Sequence, residues 1–226
     1  MILKNLKIRL KILILAIFHF TLFIIPEIGV AQEINGIVKS KTSTIYFEDF
    51  GLENIFFNGE IHSNISGSKY TVNLKNDQEE FEGIITDKLS KFNVDLNFKS
   101  NKIEGQIKRS TNHTKDEWDI QFFGQNLSGT VIHNAMNTVD TYDLSYGNSK
   151  IEGTIRKKIN TLVYDLMFNK KKVSGTMSLN ATAVKHTYNL TAEELTEDEF
   201  VVLLFIESIK LINERIDDID NFQDNK

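Results

Sequence analysis

The sequence predicts an all-β fold with one C-terminal α-helix: an antiparallel up-and-down meander of about 12 to 14 strands, closed or strongly curved into a barrel. Three observations carry that prediction. A strand–turn–strand phrase recurs every 22 to 24 residues. Apolar and polar residues alternate within each copy, the period of a half-buried strand. The chain then ends in an apolar stretch, opened by helix-start chemistry, that needs burial on every side.

The repeat is clearest where Val94-Asp95-Leu96-Asn97-Phe98 precedes Ile103-Glu104-Gly105-Gln106-Ile107, and Tyr142-Asp143-Leu144-Ser145-Tyr146 precedes Ile151-Glu152-Gly153-Thr154-Ile155. Further copies begin at Val72, Trp118 and Tyr164, and a half-copy at Tyr188. In all five complete copies a glycine lies 11 residues after the first apolar position. The joining segments (99–102, 123–126, 147–150, 169–172) are short and polar, which predicts hairpins with four-residue loops. That register places Tyr146 opposite Ile151, Leu144 opposite Gly153 and Tyr142 opposite Ile155. One face of each hairpin is then apolar and the other polar, as in a sheet with one solvated side.

The glycines Gly83, Gly105, Gly129, Gly153 and Gly175, with Gly59, fall on the apolar face at one height. Glycine weakens a strand unless the space is used. Two compatible readings follow: room for the leucine or isoleucine opposite and for coiling of the sheet, or a waist where another element approaches the backbone.

At the C-terminal end, Thr196-Glu197-Asp198-Glu199 is a capping box, with Thr196 as N-cap and Glu199 three residues on. Seven apolar residues follow without interruption, Phe200 to Ile206, and then Ile209, Leu211, Ile212 and Ile216. Roughly ten such side chains, at about 1.5–3 kcal/mol each, require burial. Glu207 and Lys210 interrupt the stretch, which is also too short for a comfortable membrane span. The interior of a closed barrel, or the concave face of a curved sheet, is where such a helix can go. An outer-membrane barrel turns its apolar face to lipid, leaving an apolar helix no apolar interior, and is set aside.

The N-terminal 31 residues read as a secretory signal: Lys4, Lys7, Arg9 and Lys11, then an apolar run from Ile12 to Ile25, Pro26, and small residues at Gly29 and Ala31. The run falls short of the roughly 20 residues that span a bilayer, so cleavage before Gln32 is expected, and an exported protein, periplasmic or extracellular. Residues 32–191 form the hairpin meander, 192–220 the helix packed on the same domain, and 221–226 a polar tail. There is no cysteine, hence no disulfide framework. The abundance of Ile, Asn and Lys accompanies AT-rich bacterial genomes. Residues 1–31 hold four basic residues and Glu27, so the remaining 195 carry 22 basic against 30 acidic, a net charge of −8. That balance argues against nucleic acid and anionic lipid surfaces as partners, since both call for a basic face.

Candidate chemistry is sparse. His113, His133 and His186 fall at the rim opposite the tight turns, and His62 stands apart. Three imidazoles can hold zinc, but no acidic second shell is legible beside them, and scattered rim histidines are the plainer reading. The row Asn73, Asp95, Asp119, Asp143, Asp165 and Asn189 sits on the water face opposite Thr or Gln and reads as a solvated cross-strand row, not a catalytic ladder; Glu82, Glu104 and Glu152 read the same way. Asn-x-Ser/Thr at Asn64, Asn112, Asn126, Asn180 and Asn189 is coincidental in an Asn-rich bacterial chain. No nucleophile elbow or phosphate loop is present, so no catalytic, cofactor or metal residue is assigned and no enzyme is expected. Two classes remain. The first is a structural or protein- or glycan-interaction module of the cell envelope, its barrel filled by the helix; the sequence leans this way. The second is a carrier of an apolar small molecule or lipid held beside the helix.

Overall fold

The computed structural model describes residues 31–136, 138–180 and 185–223, with side chains to residue 214 in the final helix. Apart from Ala31, the stretch read as a signal lies outside the described residues. Fourteen strands run in order: β1 (Ala31–Lys41), β2 (Thr44–Leu52), β3 (Ile55–Ser63), β4 (Lys69–Lys75), β5 (Glu80–Lys88), β6 (Lys91–Phe98) and β7 (Asn101–Arg109). They continue as β8 (Lys115–Phe122), β9 (Gln125–His133), β10 (Val139–Tyr146), β11 (Ser149–Lys158), β12 (Thr161–Phe168), β13 (Lys171–Leu179) and β14 (Lys185–Glu193), followed by the helix α1 (Glu197–Gln223). Each strand pairs antiparallel with its sequence neighbours, and β1 closes the barrel on β14, from Ala31 opposite Glu193 to Lys39 opposite Lys185.

The hairpins are tighter than the four-residue loops expected from the sequence. Tyr146 pairs with Ser149, Leu144 with Ile151 and Tyr142 with Gly153. The recurrent spacing of 11 is therefore a direct cross-strand pair, as in Val94–Gly105, Trp118–Gly129 and Tyr164–Gly175. Turns of two residues close these hairpins, with both φ angles positive at Lys99–Ser100, Phe123–Gly124 and Asn169–Lys170. This is the requirement of a type I′ turn, whose usual signal is Asn-Gly or Asp-Gly. Lys-Ser and Asn-Lys do not announce it. Because the difference is an even number of residues, every side chain keeps its expected face.

Alternation sets the inside and outside of the wall. In β6, Phe92, Val94, Leu96 and Phe98 are buried while Asp95 and Asn97 are exposed. The glycines sit where neighbouring strands leave no room for a Cβ. Gly153 has φ +136°, and a Cβ there would lie 2.1 Å from the Asp165 carbonyl oxygen of β12. The element that approaches these glycines is thus the next strand's backbone.

α1 occupies the lumen. All residues from Phe200 to Ile212 are buried. Phe200 meets Phe50 of β2 and Phe57 of β3, with ring centroids 6.0 and 6.3 Å away. Phe205 meets Trp118 and Phe122 of β8 at 5.7 and 5.6 Å. Glu207 bonds to β12 and β14. Contacts to strands so widely spread around the ring place the helix inside. The capping box forms: Glu199 N donates to Thr196 Oγ1 at 3.3 Å, and Thr196 N donates to the Glu199 carboxylate at 2.8 Å. No helix among the described residues is long and apolar enough to cross a membrane.

Candidate ligand-binding cavity at the barrel mouth

The two ends of the barrel differ. At one end, called the tight-turn end, lie the turns joining β2–β3, β4–β5, β6–β7, β8–β9, β10–β11 and β12–β13 and the start of α1; at the other, called the mouth here, lie the loops joining β1–β2, β3–β4, β5–β6, β7–β8, β9–β10, β11–β12 and β13–β14. Toward the tight-turn end, the rings of Phe50, Phe57, Phe98, Phe122 and Phe200 fill the space around the helix. Toward the mouth the filling is partial, although Ile61, Tyr70, Ile85 and Phe92 are still buried. A cavity of about 620 Å³ lies between the second half of α1 and the wall. Its apolar surface includes Trp118, Val131, Ile155, Leu162, Ile206 and Ile209.

A buried polar cluster sits on the helix beside this cavity. The Glu207 side chain is fully buried, and its Oε2 accepts three hydrogen bonds: from the Tyr164 and Tyr188 hydroxyls at 3.0 Å each, and from Lys210 Nζ at 3.2 Å. The other carboxylate oxygen, Oε1, is buried without a partner among the described residues. Burial works against the Lys210 charge, but Glu207 and Glu214 outweigh it and hold its pKa well above the ordinary lysine value. Burial, reinforced by Glu207, raises Tyr164 and Tyr188 well above the usual phenol range, so both stay neutral and can donate. Lys210 and Glu214 of this group line the cavity, together with Tyr142.

The mouth wall carries a second cluster. His133, at the end of β9, has Asp140 Oδ1 2.8 Å from Nδ1 and Asp116 Oδ2 3.2 Å from Nε2. Burial opposes the imidazolium, yet the hydrogen bonds and charges of the two aspartates prevail and lift its pKa to about 10. His133 is therefore a cation at neutral pH, with both ring nitrogens donating. Nearby, Arg109 pairs with Asp87 and lies over the Phe92 ring, 4.3 Å from its centroid.

Trp118 supplies the clearest sign of a ligand. It lines the cavity at 4% exposure, packed edge-on against Phe205, and its indole N–H is buried without an acceptor among the described residues. Buried indole N–H groups normally find a partner.

The histidines expected at the rim are at the mouth: His113, His133 and His186 all line the cavity. They do not assemble as ligands, for no group of three His, Cys, Asp or Glu among the described residues could hold a metal. The acidic partners of His133 went unseen in the sequence because Asp116 and Asp140 reach it from the adjacent strands β8 and β10. His62 is outside this group, its Nδ1 3.0 Å from Thr44 Oγ1. The Asp row is exposed on the outer wall, where lysines bridge cross-strand acids: Lys102 reaches Glu104 at 2.5 Å and Asp95 at 3.8 Å, and Lys150 reaches Glu152 at 2.6 Å and Asp143 at 3.6 Å. Asp95 and Asp143 thus face glutamates on one side, where the looser register had placed a Thr or Gln. Compared with protein-family models, curated proteins and solved structures, the chain matches none.

Proposed function

We propose that this is an exported, non-enzymatic carrier that holds a small amphipathic molecule in the mouth cavity, with α1 as the fixed inner wall. The observation that carries this reading is the unfilled space of about 620 Å³ beside a helix that elsewhere fills the lumen. Its volume falls within the roughly 300–1,000 Å³ typical of small-molecule sites, and such sites combine apolar walls with a few polar groups. The Trp118 N–H, the Tyr142 hydroxyl and the Lys210 ammonium offer donors against an apolar wall. They suit a ligand with an apolar body and a hydrogen-bond-accepting head. A purely structural envelope module would need no such space, which is why the carrier reading is preferred to the filled-barrel one.

Two measurements test it. Organic extraction of natively purified protein, followed by mass spectrometry, is expected to release a stoichiometric amphipathic molecule. Trp118 is the single tryptophan of the chain, so energy transfer from it to anilinonaphthalenesulfonate reports binding beside it. Trp118→Tyr, which retains a weak donor fluorophore but displaces the N–H, is expected to weaken that dye by about tenfold, the value of one hydrogen bond to a charged group. A clean extract together with no energy transfer, from a cooperatively melting protein, returns the envelope interaction module as the better reading.

A further inference from the structure

The net charge of −8 conceals two ends of opposite sign. The mouth segments (39–44, 62–69, 86–91, 108–117, 132–140, 156–161 and 178–185) contain twelve Lys and Arg against four Asp and Glu. The opposite end (31–33, 48–58, 75–82, 97–104, 121–128, 145–152, 167–174 and 191–199) contains seven against fifteen. Three of the four mouth acids are paired in the wall, Asp116 and Asp140 with His133 and Asp87 with Arg109, which is occupied in turn. α1 continues past its last cavity-lining residue, Glu214, to Gln223. Counting residues 214–223 with the mouth still leaves thirteen basic against eight acidic.

Large apolar side chains are exposed at the same end. Ile65, Leu89 and Ile159 are fully exposed, and Met136 is 75% exposed. Each stands in a different mouth loop, β3–β4, β5–β6, β11–β12 and β9–β10 respectively. Two of them have basic neighbours in sequence: Lys88 and Lys91 flank Leu89, and Lys157 and Lys158 precede Ile159. Among the described residues at the tight-turn end, only Phe56 is comparable, at 41%.

We propose that the mouth docks on a lipid bilayer surface bearing anionic head groups. Isolated apolar tips around a rim cannot bury one another, but they can enter the boundary between head groups and acyl chains. Adjacent lysines keep their ammonium groups at the level of lipid phosphates while their stems lie in the apolar layer. The acidic opposite end is repelled by the same surface, so the barrel approaches mouth first. The docked orientation points the cavity entrance at the bilayer. Docking itself rests on the rim and not on the carrier reading, since it needs no occupant in the cavity.

Every strand pairing and core contact described lies within residues 31–223, so the chain from Ala31 onward is the appropriate sample, free of the apolar N-terminal run. It is floated with phosphatidylcholine vesicles, with and without phosphatidylglycerol, at low and high salt. Binding is expected to the anionic vesicles alone and to fall with salt. The pair Leu89→Ser with Ile65→Ser, and separately the pair Lys88→Glu with Lys69→Glu, none of them at the cavity, are each expected to weaken it by about tenfold or more. These side chains are exposed, so both variants should melt with the parent and transfer energy from Trp118 to the dye unchanged, which separates failure of docking from failure of the cavity. The proposal is overturned if the parent does not float with anionic vesicles, even if it captures a protein instead, or if both variant pairs float as well as the parent.

Discussion

Inside the barrel, Glu207 of the helix accepts the hydroxyl of Tyr188 from the wall at 3.0 Å. The same oxygen serves Tyr164 and Lys210, so one carboxylate ties α1 to two strands and compensates a buried ammonium. Removing one member of a buried ion pair costs about 3–5 kcal/mol, because the other is left uncompensated. Glu207→Ala is expected to lose that much in urea unfolding. Replacing both Glu207 and Lys210 by Leu is expected to recover more than half of the loss; a double variant as unstable as Glu207→Ala would show that the tyrosine bonds dominate.

Gly153 tests the close approach of neighbouring strands. Its φ of +136° is unfavourable for any side chain, and the Asp165 carbonyl occupies the place of a Cβ. Gly153→Ala is expected to destabilise by at least about 1–3 kcal/mol, the cost of one residue held in a sparsely populated backbone region. Gly67→Ala, where φ is +67° and the space is open, should cost only about 1–2 kcal/mol. Equal losses in chemical denaturation would argue against the close strand approach as the reason for glycine.

Turn chemistry offers a stabilising change. Lys170 has φ +75° in the two-residue turn after β12. Lys170→Gly creates the Asn-Gly sequence preferred there and removes a left-handed non-glycine residue, expected to add about 1 kcal/mol. A higher denaturation midpoint with an unchanged slope checks it.

His133 sets a pH dependence. Its folded pKa of about 10 lies above its ordinary value of 6.5, so the folded state binds the proton more tightly. The stability this contributes is complete below about pH 6.5 and is lost as pH rises through about 10. NMR titration of the imidazole is expected to show the high value, and Asp140→Asn to lower it. His133→Gln should flatten the fall in stability between those pH values; an unaltered slope would remove His133 as its source.

Much of the architecture was legible because it is local. Alternation in copies such as Tyr142 to Tyr146 marks strands and their inner face, and Thr196 with Glu199 marks the helix start, since partners within three or four residues make those contacts. The turn register was not legible: Lys99-Ser100 and Asn169-Lys170 adopt positive φ without the residues that usually signal it. The acidic flanks of His133 were missed for a related reason, since Asp116 and Asp140 lie 17 and seven residues away and meet it only through strand pairing.

What the sequence alone determined is the period, the two faces of each hairpin and the need to bury a helix, because hydrophobic burial and capping act over short stretches. Tertiary structure decided the rest. Closure of β1 on β14 created the lumen, and the helix then brought Glu207 to Tyr164, 43 residues away. The same closure gathered alternate loops at one end, turning a uniformly scattered set of lysines and apolar tips into a polarised rim around a cavity. Charge and exposure add up over neighbours in space, and only the closed barrel says which residues are neighbours.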